Sequence, residues 1–188
     1  LKKELDFVLI GGWAVYLYTK ALKSKDIDLI TNYDQLEKLR TDFAVFKNER
    51  LRKYEARREE VQIDIYLPHY SNLGLPVEEI VKNVIKIETF MLPEVEILLI
   101  LKQLVFQERS LSAKGQKDRI DILSLLIFAD LNFPKYKKYL TKFKVVNLKK
   151  ELEKLISQTV KIPELDVNEH QWSRKKKFLL LAIREKFN

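Results

Sequence analysis

Cysteine is absent from the 188 residues, which excludes disulfides and thiolate metal sites. Histidine occurs twice, at His69 and His170, too far in sequence from the candidate-site carboxylates described below to suggest a ligand set, and a surface position is expected for both. Long apolar runs are also missing. The most apolar stretch, Val95 to Phe106, is interrupted by Glu96, Lys102 and Gln103 and falls short of the roughly 20 residues that a membrane span needs, so no membrane partner is expected. Phe7 to Ile10 is too short for the core of a signal peptide, and a cytoplasmic protein is the expectation. What remains, 46% hydrophobic and 33% charged, is a globular balance sufficient for one sizeable domain or two small ones. Positive charge is in surplus, at +8 with a pI near 9.4. Such a surplus suits approach to a polyanion, whether nucleic acid or a phosphorylated substrate. A lysine-rich proteome gives the same surplus, and composition leaves both open.

Along the chain, periodicity changes once. Phe7 to Ile10 reads as a buried strand that ends at a glycine pair, followed by helix-compatible residues from Trp13 to Lys20. Ile27, Leu29 and Ile30 mark a second strand, and Tyr33 to Arg40 a polar amphipathic helix. Val61 to Leu67 alternates Val, Ile, Ile and Leu with Gln62, Asp64 and Tyr66, a period of two that Pro68 ends. Pro76 opens a short helix, and Val84 to Glu88 reads as one more strand. After Pro93 the pattern is helical throughout: Glu94 to Glu108, Gln116 to Ala129, Lys135 to Phe143, Leu148 to Ser157 and Asn168 to Lys186. The expected architecture is α+β, with a mixed sheet and flanking helices in residues 1–92 and a helical bundle in residues 93–188.

Three local features carry chemistry. Two of the four glycines are adjacent, Gly11 and Gly12, where strand becomes helix. There, backbone amides can approach a phosphate and the helix N-terminus faces its charge, although a plain tight turn has the same sequence. Asp26-Ile27-Asp28 places two carboxylates two residues apart, on one face if all three lie in a strand. Such a pair suits Mg²⁺, or Mn²⁺, between its oxygens, and a solvated strand edge is the alternative. Asp64 stands among the polar positions of its strand. If that strand pairs beside the one carrying Asp26 and Asp28, three carboxylates meet, enough for two divalent ions, and Asp64 becomes the natural general base or second-metal ligand.

Gly11-Gly12, then Ser24-Lys25-Asp26-Ile27-Asp28, then a strand carrying Asp64, resembles the signature of the DNA polymerase beta-like nucleotidyltransferase superfamily. The resemblance implies a nucleotidyltransferase-type mixed sheet, phosphates seated by Gly11, Gly12 and Ser24, and metal held by Asp26, Asp28 and Asp64. An arginine frequent just upstream in the family is replaced here by Leu22, with Lys23 adjacent. A second set, Leu92-Pro93-Glu94, Lys102 and Lys117-Asp118-Arg119-Ile120-Asp121-Ile122, resembles the AbiEii group of toxin-like nucleotidyltransferases, with Lys117 where an arginine is usual. It implies that Lys102 and Asp118 approach the nucleotide from the helical half, with Lys102 offsetting developing charge. Read without the family, Lys102 is an internal cation that either snorkels to solvent or meets a triphosphate. Asp118 and Asp121 are then first-turn acids favoured by the helix dipole.

The resemblance implies Mg²⁺-dependent transfer of a nucleoside monophosphate from an NTP to an acceptor hydroxyl, on RNA such as tRNA or on protein, in a toxin–antitoxin or abortive-infection setting with a helical antitoxin as partner. The alternative is a catalytically inactive nucleotide- or RNA-binding module of the same fold. Trp172 and the run Arg174 to Lys177 are open to reading as base-stacking and phosphate contacts, or as core and solvated face.

Overall fold

The computed structural model describes residues 5–186, and the chain divides into two compact units, one running to Glu94 and the other beginning at Val95. The first unit is built on a seven-stranded sheet. Its strands in chain order are β1 (Val8–Ile10), β2 (Ile27–Ile30), β3 (Ala44–Asn48), β4 (Lys53–Arg58), β5 (Val61–Tyr66), β6 (Val84–Ile87) and β7 (Phe90–Pro93). Across the sheet the order is β3-β4-β5-β2-β1-β7-β6. β2 pairs with β5, and β1 with β7, in parallel; the remaining neighbours are antiparallel, so the sheet is mixed. Three helices accompany it: α1 (Gly11–Thr19), α2 (Tyr33–Leu39) and α3 (Val77–Val81).

One face of the central strands is the core. Leu29 of β2, Ala56 of β4 and Ile63 and Ile65 of β5 pack with Leu36 and Leu39 of α2 and with Leu67, all buried. Burying each such leucine or isoleucine side chain contributes about 1.5–3 kcal/mol. α2 is positioned to cover them because the Asn32 side chain accepts a hydrogen bond from the Gln35 N–H at 2.9 Å, fixing the start of the helix. The opposite face of β2, β5 and β4 carries the polar alternates.

The hairpin β3–β4 has no counterpart among the expected elements. In β4 the apolar alternates are only Tyr54 and Ala56, set between Lys53, Glu55 and Arg57, too weak a contrast to stand out as a strand. β7 occupies the stretch where the change of character was expected, held by its pairing to β1 and β6 and by the Tyr18 hydroxyl, which donates to the Pro93 carbonyl at 2.6 Å. Asp26 lies one residue ahead of β2 and not on it.

The second unit contains α4 (Val95–Arg109), α5 (Ala113–Phe128), α6 (Phe133–Lys142), α7 (Asn147–Gln158) and α8 (Glu169–Lys186), with one 3₁₀ turn at Pro163–Leu165. α4 and α5 form an antiparallel hairpin against which α6 and α7 pack, and α8 packs on α6 and α7. α5 begins three residues before the expected Gln116, because the Ser112 hydroxyl accepts from the Gly115 N–H at 3.0 Å. Gly115 is required in that turn: a Cβ there would stand 2.0 Å from the Arg109 carbonyl oxygen. The bundle interior is tied by polar bonds. The Tyr136 hydroxyl donates to Gln103 Oε1 at 2.6 Å, and Gln103 Nε2 donates to the Leu148 carbonyl at 2.9 Å, joining α6, α4 and α7. Trp172 of α8 is fully buried with its indole N–H on the Thr159 carbonyl at 3.0 Å, so it is a core residue. No helix among the described residues is long and apolar enough to cross a membrane.

Candidate active site

The polar face of the sheet brings Asp28 and Asp64 together. β2 and β5 run parallel in a register that sets Asp28 opposite Asp64, so their side chains leave the same face on strands about 4.8 Å apart. On β1, Ile10 lies opposite Asp28, and the chain turns there into α1 at Gly11. Gly11 has φ +65°, and a Cβ at this position would lie 2.1 Å from Asp28 Oδ2. Its lack of a side chain therefore does two things: it permits the left-handed backbone and leaves room for the carboxylate against the start of the helix. Gly12 follows, buried in the first turn. Ser24 is half-buried, Asp26 is exposed just ahead of β2, and Asp28 is half-buried within it.

Gly11→Ala is expected to lower folding stability by about 2 kcal/mol, from the left-handed φ alone and before any displacement of Asp28. Urea denaturation measures it; an unchanged midpoint would mean that the turn does not need the glycine.

Asp64 has partners that the spacing of acids does not reveal. Lys53 of β4 places its ammonium on Asp64 Oδ2, and Gln62 Nε2 donates to Asp64 Oδ1 at 3.4 Å. Glu55 stands opposite Asp64 in the β4–β5 register and lies 3.6 Å from the same ammonium. Asp28, Asp64 and Glu55 thus form a cross-strand row, with Lys53 nested between the last two. The Lys53 side chain is only 10% exposed, and the Asp64 and Glu55 side chains 14% and 13%. Glu55 accepts from Asn48 Nδ2 and Arg57 Nη2, each at 2.8 Å. The Asn48 bond holds the Glu55 carboxyl below the usual glutamate range; burial pushes the other way, and Arg57 and Lys53 reinforce the lowering.

Does this donor set fit a divalent cation? Asp28 is a hard oxygen donor beside the Gly11 turn, whose amides can meet phosphate, and Asp26 stands two residues ahead of it in sequence; Mg²⁺ is commonly held by one or two carboxylates plus substrate phosphates. Asp26 and Asp28 fit that mode. Among the described residues, no three acidic, histidine or cysteine side chains come together as a preformed metal cage. Asp64 is drawn to Lys53 instead.

In the helical unit, Lys102 of α4 is largely withdrawn from solvent. Its side chain is 12% exposed, and Nζ lies 2.7 Å from Asp121 Oδ2 and 3.5 Å from Asp118 Oδ1. Asp118 is also gripped by Arg109, with Nε on Oδ2 at 2.7 Å and Nη2 on Oδ1 at 3.2 Å. Both aspartates lie beyond the first turn of α5 and are buried, so the reading of them as first-turn acids does not hold. Burial raises the Asp121 carboxyl above the usual aspartate range, and Lys102 opposes the rise. Lys102 and Arg109 of α4 thus tie to Asp118 and Asp121 of α5. His69 is 86% exposed, and His170 is exposed as well.

Sequence reasoning missed Lys53 and Glu55. The alternation Lys53-x-Glu55-x-Arg57 against Tyr54 and Ala56 was the available signal, a period of two in which the polar set outweighs the apolar.

Comparison with known proteins yields likeness of structure only. No protein-family model matches the chain, and no curated protein matches it in sequence. Among solved structures, JHP933 from Helicobacter pylori is 15% identical, covering 98% of this chain and 86% of its own, with a TM-score of 0.51. A candidate nucleotidyltransferase from H. pylori is 16% identical over 98% of this chain and 88% of its own, also at 0.51. ANT(2″)-Ia, in complex with adenylyl-2″-tobramycin, is 17% identical over 77% of this chain and 90% of its own, at 0.51. The chain therefore has a nucleotidyltransferase-like fold, a mixed sheet with helices and a helical C-terminal part.

Proposed function

We propose that the protein is a Mg²⁺-dependent nucleotidyltransferase that moves a nucleoside monophosphate from an NTP to an acceptor hydroxyl. The observation that carries this is the register of Asp28 against Asp64 beside the Gly11 turn, which assembles carboxylates and a phosphate-ready backbone at one place on the sheet. Asp26 and Asp28 would hold the divalent ion, which when bound neutralises triphosphate charge and polarises the α-phosphoryl group. Gly11, Gly12 and Ser24 seat the phosphates. The acceptor oxygen forms a bond to the α-phosphorus as the bridging oxygen to the β-phosphorus departs with pyrophosphate, and the acceptor proton passes to the Asp64 carboxylate.

The surplus of basic residues favours RNA, such as tRNA, or a protein as acceptor. The similarity of Leu92-Pro93-Glu94, Lys102 and residues 117–122 to the AbiEii group extends the proposal to a toxin-like role with an antitoxin partner. Lys102 and Asp118 have their charges met within the helical unit, so the chemistry proposed here is carried by the sheet residues.

The test is incubation with each of the four α-labelled NTPs, Mg²⁺, and total cellular RNA or protein. One labelled acceptor class is expected, and its label should vanish with chelator. Tight NTP binding with no labelled product from any mixture would favour a nucleotide-binding module that keeps the fold without the transfer.

A further inference from the structure

Three meeting carboxylates can hold two divalent ions, and Asp28, Asp64 and Glu55 stand in one cross-strand row. One position in that row is already filled from within the chain. Lys53 projects from β4 two residues before Glu55, hence from the same face, and puts its ammonium between Glu55 and Asp64. An ammonium so enclosed is held there by charge, since leaving it unpaired in a buried setting is strongly unfavourable. It also answers the repulsion that two carboxylates in cross-strand register would otherwise impose.

We propose that the Lys53 ammonium stands where a second metal ion would bind Asp64, so that this protein works with a single divalent cation, at Asp26 and Asp28. Lys53 is then a positioning residue. It turns the Asp64 carboxylate toward β4 and keeps it from ligating metal, leaving its remaining lone pairs for the acceptor proton. The donor set agrees: Asp26 and Asp28 supply the one or two carboxylates that suffice when phosphates complete the shell. No three acids among the described residues make a cage of their own. Gln62, donating to the other Asp64 oxygen, assists the same orientation.

This inference rests on the nucleotidyltransferase reading, and counting ions separates the two. Free Mn²⁺ is followed by electron paramagnetic resonance during titration of the full chain, alone and with each α,β-methylene NTP in turn, after subtracting Mn²⁺ bound by analogue that is free of the protein. Wild type is expected to take one Mn²⁺ per chain in the presence of an analogue. Lys53→Met is expected to take two, because Asp64 is released to ligate. Should that variant fail to fold, Lys53→Met combined with Glu55→Gln lowers the uncompensated charge and is expected to give the same count of two. Two ions in the wild type, or one in whichever of these variants folds, would overturn the Lys53 assignment alone. No Mn²⁺ bound by the wild type with any analogue would overturn the nucleotidyltransferase reading and this inference with it.

Discussion

Asp28→Asn is expected to reduce nucleotidyl transfer by at least about 10³-fold, the scale on which a preorganised electrostatic contact to the reacting group acts. The substitution is nearly isosteric, so the packing of Asp28 against the Gly11 turn is kept. What it removes is the carboxylate beside that turn, and with it affinity for the divalent ion proposed there. Stability should change little, within about 0.5 kcal/mol, because Asp28 is half-buried and its cross-strand neighbour Asp64 is balanced by Lys53. The measurement pairs single-turnover label transfer with a thermal melt. Transfer at the wild-type rate in a normally folded Asp28→Asn protein would remove Asp28 from the chemistry. Loss of transfer with loss of folding would instead make it a structural residue of the turn.

How much of this site is legible in the sequence depends on the contrast between neighbouring residues. β5 could be read directly, because Ile63 and Ile65 are apolar enough to show the period of two, and that period puts Asp64 on the polar face. The pairing of β5 with β2 is a long-range choice with no local trace, so the meeting of Asp28 and Asp64 could be stated only as a condition. Asp26-Ile27-Asp28 looked like one strand face, yet the strand begins at Ile27, and sequence seldom marks a boundary to one residue. The hairpin β3–β4 was invisible for the opposite reason. Its charged residues are numerous because it lies toward the sheet edge with one face polar, and that composition resembles a loop. With the hairpin went Lys53 and Glu55, and so the internal cation. In the helical unit the anomaly of Lys102 was visible, but its partners were not. They depend on the α4–α5 turn, where the Ser112 cap and the close approach at Gly115 set which turns of the two helices face each other.

Lys102→Met is expected to destabilise the protein by about 3–5 kcal/mol at neutral pH, as removal of one partner of a buried ionic group does. The ammonium compensates two buried carboxylates; Arg109 also grips Asp118, whereas Asp121 loses the ammonium that lies 2.7 Å from its Oδ2. The pH dependence follows from the direction of its shift. Asp121 is harder to ionise in the folded protein than in the unfolded chain, since burial raises it and Lys102 only opposes the rise. Stability therefore falls as pH rises from the ordinary aspartate range through the raised value, because the folded state binds more protons there. Without Lys102 the rise is larger and the window wider. The deficit of Lys102→Met should accordingly be greatest at pH 7 and shrink on acidification, as the buried Asp121 of the folded variant takes up a proton. Urea unfolding at pH 7 and at about pH 4.5 measures this, and adding Asp121→Asn should recover much of the loss at pH 7. The same variant separates two roles for Lys102. A lysine that only offsets charge on a bound nucleotide would, when replaced, cost transfer and leave the unfolding midpoint where it was. A lysine that locks α4 to α5 moves the midpoint whether or not nucleotide is present.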